Sequence, residues 1–97
     1  MVASGRVSIA KAPALVDCLT DEFTRLNRGN TAFSVKQTQR ADGLRVEVFS
    51  SNVILGVSAD VFADGRTELR IGPDPLSFYS KEQNGYRGCV SKHGNLI

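Results

Sequence analysis

The groups in this chain that could carry chemistry are few: Cys18, Cys89, the single histidine His93, 10 carboxylates and 12 Lys and Arg side chains. Nucleophilic catalysis needs a Ser, Cys or Thr beside a base that a third group orients. His93 falls in a polar Lys92-His93-Gly94-Asn95 end, expected to be exposed or frayed, and has no evident way to serve either cysteine. The cysteines show no CxxC spacing and no neighbours at metal-ligand intervals, and the glycines stand singly at turns, so no phosphate-cradling loop is formed. No catalytic residue, metal or cofactor is therefore expected, and the protein is read as non-enzymatic. Both cysteines are expected as free thiols, because a bridge between them would require a secreted context that nothing else in the sequence supports.

What remains is recognition by charge. Arg40, Arg45 and Arg70 are expected to fall with Ser58 into one row across a sheet, where three guanidinium groups repel one another unless water or an anionic partner disperses the charge. That row depends on strand registers, and those depend on turns. Asp42-Gly43 and Asp64-Gly65 are hairpin signals flanked by alternating apolar residues. A two-residue turn at Asp42-Gly43 sets Ala41 opposite Leu44, Gln39 opposite Val46 and Gln37 opposite Val48. The same turn at Asp64-Gly65 would mix core and solvent residues. A three-residue loop, Ala63-Asp64-Gly65 with a glycine bulge, instead pairs Val61 with Thr67, Ala59 with Leu69 and Val57 with Ile71. Between the hairpins, a two-residue loop at Ser51-Asn52 aligns Val48 with Leu55, Val46 with Val57 and Leu44 with Ala59. The outer face then also carries Lys36, Phe49 and Ile54 in one row, two of them apolar and in need of cover, for which Phe78, Tyr79 and Tyr86 are the candidates. Asp60 and Glu68 stand opposite each other on that face and are expected to splay into water.

The apolar face of such a sheet must be covered. Ala12, Val16, Leu19, Phe23 and Leu26 recur at helical spacing, with Leu15 at the edge of the stripe and Cys18 at its flank. Pro13 suits a first turn and Gly29 a stop, and Asp21 is placed to pair with Arg25. The expected fold class is α+β: one N-terminal helix at 12–28 packed on a four-stranded antiparallel meander at 31–41, 44–50, 53–62 and 66–72. A short helix at 75–84, started by Asp74-Pro75 and stopped by Gly85, or an extended segment, completes the chain. Residues 1–11 are open between an edge strand through Arg6-Val7-Ser8-Ile9 and a loose arm.

A helix wrapped by a meander resembles the cystatin-like architecture. The likeness is of architecture alone, because the chain has no Gln-x-Val-x-Gly stretch, and fold analogy by itself carries no function.

With 97 residues and 41% hydrophobic content, one small domain with one modest core is expected. A net charge of +2 falls short of a protein that coats nucleic acid without specificity, so any anion affinity must be local. No apolar run approaches the ~18 residues of a spanning helix and the N-terminus lacks a secretory layout, so a cytoplasmic, non-membrane protein is expected. The functional expectation is a small protein-binding module or inhibitor that takes an acidic protein through Arg40, Arg45, Arg70, Ser58, Lys36, Phe49 and Ile54. RNA or DNA on the same face is the alternative, weakened because only Phe49 is placed to stack.

Overall fold

The computed structural model describes residues 3–29, 34–49, 56–72 and 80–97. Strand β1 (Ala3–Val7) leads through a single 3-10 turn (Ile9–Lys11) into helix α1 (Ala12–Leu26). Strands β2 (Ser34–Arg40), β3 (Gly43–Phe49), β4 (Gly56–Phe62) and β5 (Arg66–Gly72) follow, then helix α2 (Ser80–His93) and strand β6 (Gly94–Leu96). All pairings are antiparallel, in the order β2-β3-β4-β5-β1-β6. The class is α+β, but the sheet has six strands where four were expected, and two helices share its apolar face. A second helix and two more strands take the architecture away from the one-helix cystatin-like plan.

β1 and β6 lack the alternation that makes strands legible. β1 settles the open question at the N-terminus: it pairs Ala3 with Leu69 and Gly5 with Thr67 on β5, and Gly5 with Leu96 on β6. Gly5 lies beneath α2, where a Cβ would come within 2.6 Å of Val90 Cγ1 and 2.8 Å of the Asn95 carbonyl oxygen. The strand ends at Val7, two residues short of Ile9, which is left 69% exposed on the 3-10 turn. The polar C-terminal end is no frayed tail. Gly94 pairs with Val7, Asn95 with Arg6, and the Ile97 N–H donates to Ser4 at 3.0 Å.

Helix α1 starts where Pro13 predicts and ends before Gly29, whose φ of +81° is open to glycine. Its phase differs from the simple stripe. Leu15, Val16, Leu19 and Phe23 are buried, whereas Ala12 and Leu26 at the two ends are half-buried. The rotation toward Leu15 follows from α2, which packs beside α1 and gives the flank through Leu15, Cys18 and Glu22 something to meet. Arg25 pairs with Glu22 at 2.9 Å rather than with Asp21.

Helix α2 runs on through Gly85, where a stop was expected, and through Gly88 to His93. The proposed start at 75–79 lies outside the described residues. Gly85 faces α1, where an added Cβ would meet Glu22 Oε2 at 3.3 Å and Leu26 Cδ1 at 3.7 Å, so a small residue permits the helices to approach. Tyr86, expected over the outer face, is fully buried on the opposite one and donates its hydroxyl to Thr67 Oγ1 at 3.2 Å. Cys18 and Cys89 are not free thiols. They form a disulfide with a Cα–Cα distance of 5.8 Å, joining α1 to α2.

Glu82 on α2 is 7% exposed. Burial pushes its carboxyl pKa up, against the opposing pull of its own backbone N–H and the Lys81 charge. A raised folded-state value means the contribution is fully present below the ordinary glutamate range and is lost as pH rises through the folded-state value. Glu82→Gln is therefore expected to raise the urea midpoint near neutral pH, with the gain vanishing in acid. A gain of equal size at both pH values would show that ionisation of Glu82 is not its source.

Candidate functional site

The face of the sheet away from the helices is built by β2 to β5 and β1, and its side chains are set by register. The β4–β5 pairing is as the sequence indicates: Val61 with Thr67, Ala59 with Leu69, Val57 with Ile71. Its loop closes through a Gly65 N–H to Phe62 carbonyl bond of 3.0 Å, with Gly65 at φ +93°.

The other two registers each differ from expectation by two residues. In β2–β3, Arg40 pairs with Gly43, Gln39 with Leu44, Gln37 with Val46 and Val35 with Val48. The turn residues are Ala41 and Asp42, and Gly43 already belongs to β3. A tight turn centred on Asp42-Gly43 would require Asp42 at positive φ, and no described residue other than glycine has one. Placing the turn one residue earlier reserves the left-handed freedom for Gly43, at φ +154°, where a Cβ would also run into the Val61 carbonyl and approach Phe62 Cα at 2.8 Å. In β3–β4, Val48 pairs with Val57, Val46 with Ala59 and Leu44 with Val61. The Ser51-Asn52 loop lies outside the described residues.

A two-residue shift keeps every side chain on its own face, because the strand period is two, but it moves every row. Arg40, Arg45 and Arg70 consequently stand in three different rows. Arg45 has Thr38 and Asp60 as its cross-strand partners, and Glu68 follows beyond Asp60. Lys36, Glu47, Ser58 and Arg70 form the next row. Ile54 and the side chain of Phe49 lie outside the described residues.

Alternating sign replaces the expected row of like charge. Arg45 donates through Nε and Nη2 to the two oxygens of Asp60 at 2.8 and 3.1 Å. Asp60 is 3% exposed rather than splayed into water, although it does sit opposite Glu68. The Asp60 hydrogen bond holds the Arg45 guanidinium above its ordinary pKa, against the opposing effect of burial. Glu68 takes its own cation, Arg70, at 2.9 Å, and Glu47 takes Lys36 at 3.9 Å.

One row is rich in cation and aromatic carbon, and sequence reasoning missed most of it. At the turn end, Arg40 leads through Gly43 to Phe62. Across the bulged loop Arg66 begins β5 and pairs with Arg6 of β1. The Arg66 guanidinium lies 4.7 Å from the Phe62 ring centroid and bonds Asp64 at 2.8 Å. The backbone N–H and side chain of Arg66 hold the Asp64 carboxyl below its ordinary pKa. Arg40 is exposed and has no ion-pair partner among the described residues. The Ala41-Asp42 turn would have set Arg40 opposite Gly43, and the two-residue shift of β3–β4 then brings Gly43 level with Phe62.

Among the described residues no cluster of His, Cys, Asp and Glu could hold a metal ion, and no helix is long and apolar enough to cross a membrane. The chain matches no protein-family model, no curated protein and no solved structure.

Proposed function

We propose that this chain is a non-enzymatic binding module, of the kind used by small protein inhibitors, whose outer sheet face takes an acidic protein partner. The observation that supports this reading is the excess of cations on a face that neither helix covers. Lys36, Arg40, Arg45, Arg66, Arg70 and Arg6 are set against Glu47, Asp60 and Glu68 on the strands, with Asp64 in the adjoining loop. Exposed pairs such as Arg70–Glu68 contribute little to stability, so their arginines can turn to a partner's carboxylates at small cost. Arg40, exposed and outside any ion pair of the described residues, leads the contact, with Arg70 and Lys36 two rows away on the same face.

Nucleic acid is the weaker reading. A stacking platform usually needs two or more aromatic faces, and one face of Phe62 already carries the Arg66 guanidinium. The Cys18–Cys89 bridge favours an oxidising compartment over the cytoplasmic location expected with free thiols.

The test is affinity capture from the source cell with the intact chain and with an Arg40→Glu, Arg70→Glu variant, each with and without nuclease. An acidic protein retained through nuclease treatment, lost with the variant and weakening as salt rises is the expected result. The variant should fold normally, since exposed sheet-face changes usually alter stability by less than ~0.5 kcal/mol each. Equal capture by both chains would sink the reading, and loss of every partner with nuclease would transfer it to nucleic acid.

A further inference from the structure

A second concentration of positive charge lies at the corner where β1, the 3-10 turn and the end of α2 meet. A pocket of about 440 Å³ there is lined by Arg6, Lys11, Lys92, His93, Gly94 and Asn95, together with Val7 and Ser8, and by no Asp or Glu. The size suits a small ligand.

Unpaired cations occur elsewhere too: Arg28, Arg40, Lys81 and Arg87 are in no ion pair among the described residues. Arg25, Lys36, Arg45, Arg66 and Arg70 each hold a carboxylate. Among the described residues Lys11, Lys92 and Arg6 are in no ion pair, yet the fold gathers them with His93 into one concavity. Asp64 feels the Arg6 charge, but it lies in the neighbouring loop and is held by Arg66. The arrangement is fixed by backbone. Lys11 is set by its N–H bond to the Ser8 carbonyl at 2.9 Å. Gly94 comes so close to β1 that a Cβ would collide with the Arg6 carbonyl and reach Val7 Cα at 3.0 Å.

A structural role accounts for only part of this charge. Lys92 and His93 end α2, where cations complement the helix dipole. Lys11 has no such excuse: it is the N-cap residue of the 15-residue helix α1, at the positive end of the dipole. That first turn contains no acidic residue and no side-chain cap. The gathering of these cations with no carboxylate in the lining thus raises the potential at one place.

We propose that this corner is an anion site for a phosphoryl group, as free phosphate or as the ester of a small molecule. A phosphoryl dianion offers three or more acceptor oxygens and a second charge, which suits two ammonium groups, a guanidinium and an imidazole better than a two-oxygen carboxylate does. The site shares Arg6 with the outer face, but Lys11 and Lys92 take no part in the sheet, so changing these two lysines tests the corner alone.

The experiment is an NMR titration of the disulfide-intact, isotope-labelled chain with inorganic phosphate, pyrophosphate and glycerol phosphate, against chloride at matched ionic strength. Saturable shifts centred on Arg6, Lys11 and residues 92–95 are expected with at least one phosphoryl compound and absent with chloride. Saturation by inorganic phosphate alone assigns the free ion, and saturation by the ester assigns a phosphorylated small molecule. A Lys11→Gln, Lys92→Gln variant should bind about tenfold more weakly or worse, since each removed ammonium takes away a charge-assisted hydrogen bond. An Arg28→Gln, Lys81→Gln variant, with the same change in net charge, should bind like the parent. Non-saturating shifts, a response equal to that of chloride, or equal weakening in both variants would overturn the assignment.

Discussion

Opening the Cys18–Cys89 bridge is expected to cost roughly 4 kcal/mol of stability, from the loop-closure entropy that a cross-link over 71 positions removes from the unfolded chain. For a domain of this size a loss of 1 kcal/mol lowers Tm by about 4–8 °C, so the midpoint should fall by roughly 15–30 °C. Total stabilities of about 5–15 kcal/mol leave little margin after such a loss. Urea unfolding with and without a thiol reductant measures the effect. A Cys18→Ala, Cys89→Ala variant measures it without the reductant, and alanine avoids placing an unpartnered hydroxyl where Cys89 is 2% exposed. Both routes should agree, and reductant should not shift the variant at all. An unmoved midpoint in the parent would mean that the thiols are not joined in the folded chain.

The bridge was hidden for a reason that also hid α2. On α1, Cys18 stands away from the centre of the apolar stripe, which reads as a solvent-side flank if the sheet is the only thing to pack against. The missing partner was α2, and its sequence argued against a helix, since Gly85 and Gly88 are poor helix formers and the apolar positions are few. Tertiary contact overrides that preference: Tyr86, Cys89 and Val90 are buried against the core, and Gly85 lets α1 approach. β1 and β6 were obscure for a related reason. Gly5 and Gly94 sit where neighbouring atoms leave no room for a Cβ, so these strands are specified by close approach rather than by alternation.

The meander was legible to the level of faces and no further. Alternation places Val46, Val48, Val57, Ala59, Val61 and Leu69 in the core, and all of them are buried. It is indifferent to a slide of two residues, and the turns decide that slide. Hence Lys36, Arg40, Arg45 and Arg70 were assigned to the correct face, while their neighbours across the strands were not. Phe62 and Arg66 already faced each other across the β4–β5 loop, but Arg40 joins their row only after the slide and Arg6 only through the β1–β5 pairing.

The slide also reverses what Arg45→Glu should do. In a row of exposed arginines the change would weaken binding and spare the fold. With Arg45 bidentate to an Asp60 that is 3% exposed, it removes the cation that holds a buried carboxylate and sets a third acidic side chain in the row of Asp60 and Glu68. Breaking a buried pair from one side costs about 3–5 kcal/mol, and because the Arg45 side chain is 25% exposed the lower end, about 3 kcal/mol, is expected. Removing both charges should be much milder, since a buried ion pair is often replaceable by apolar side chains. A cycle of Arg45→Met, Asp60→Leu and the double variant, read by urea unfolding, isolates the coupling. Each single change should destabilise and the double should recover most of the loss. If Arg45→Glu instead shifts stability by less than ~0.5 kcal/mol, as exposed positions do, the pair is an ordinary surface contact and Arg45 returns to the group of arginines free to meet a partner.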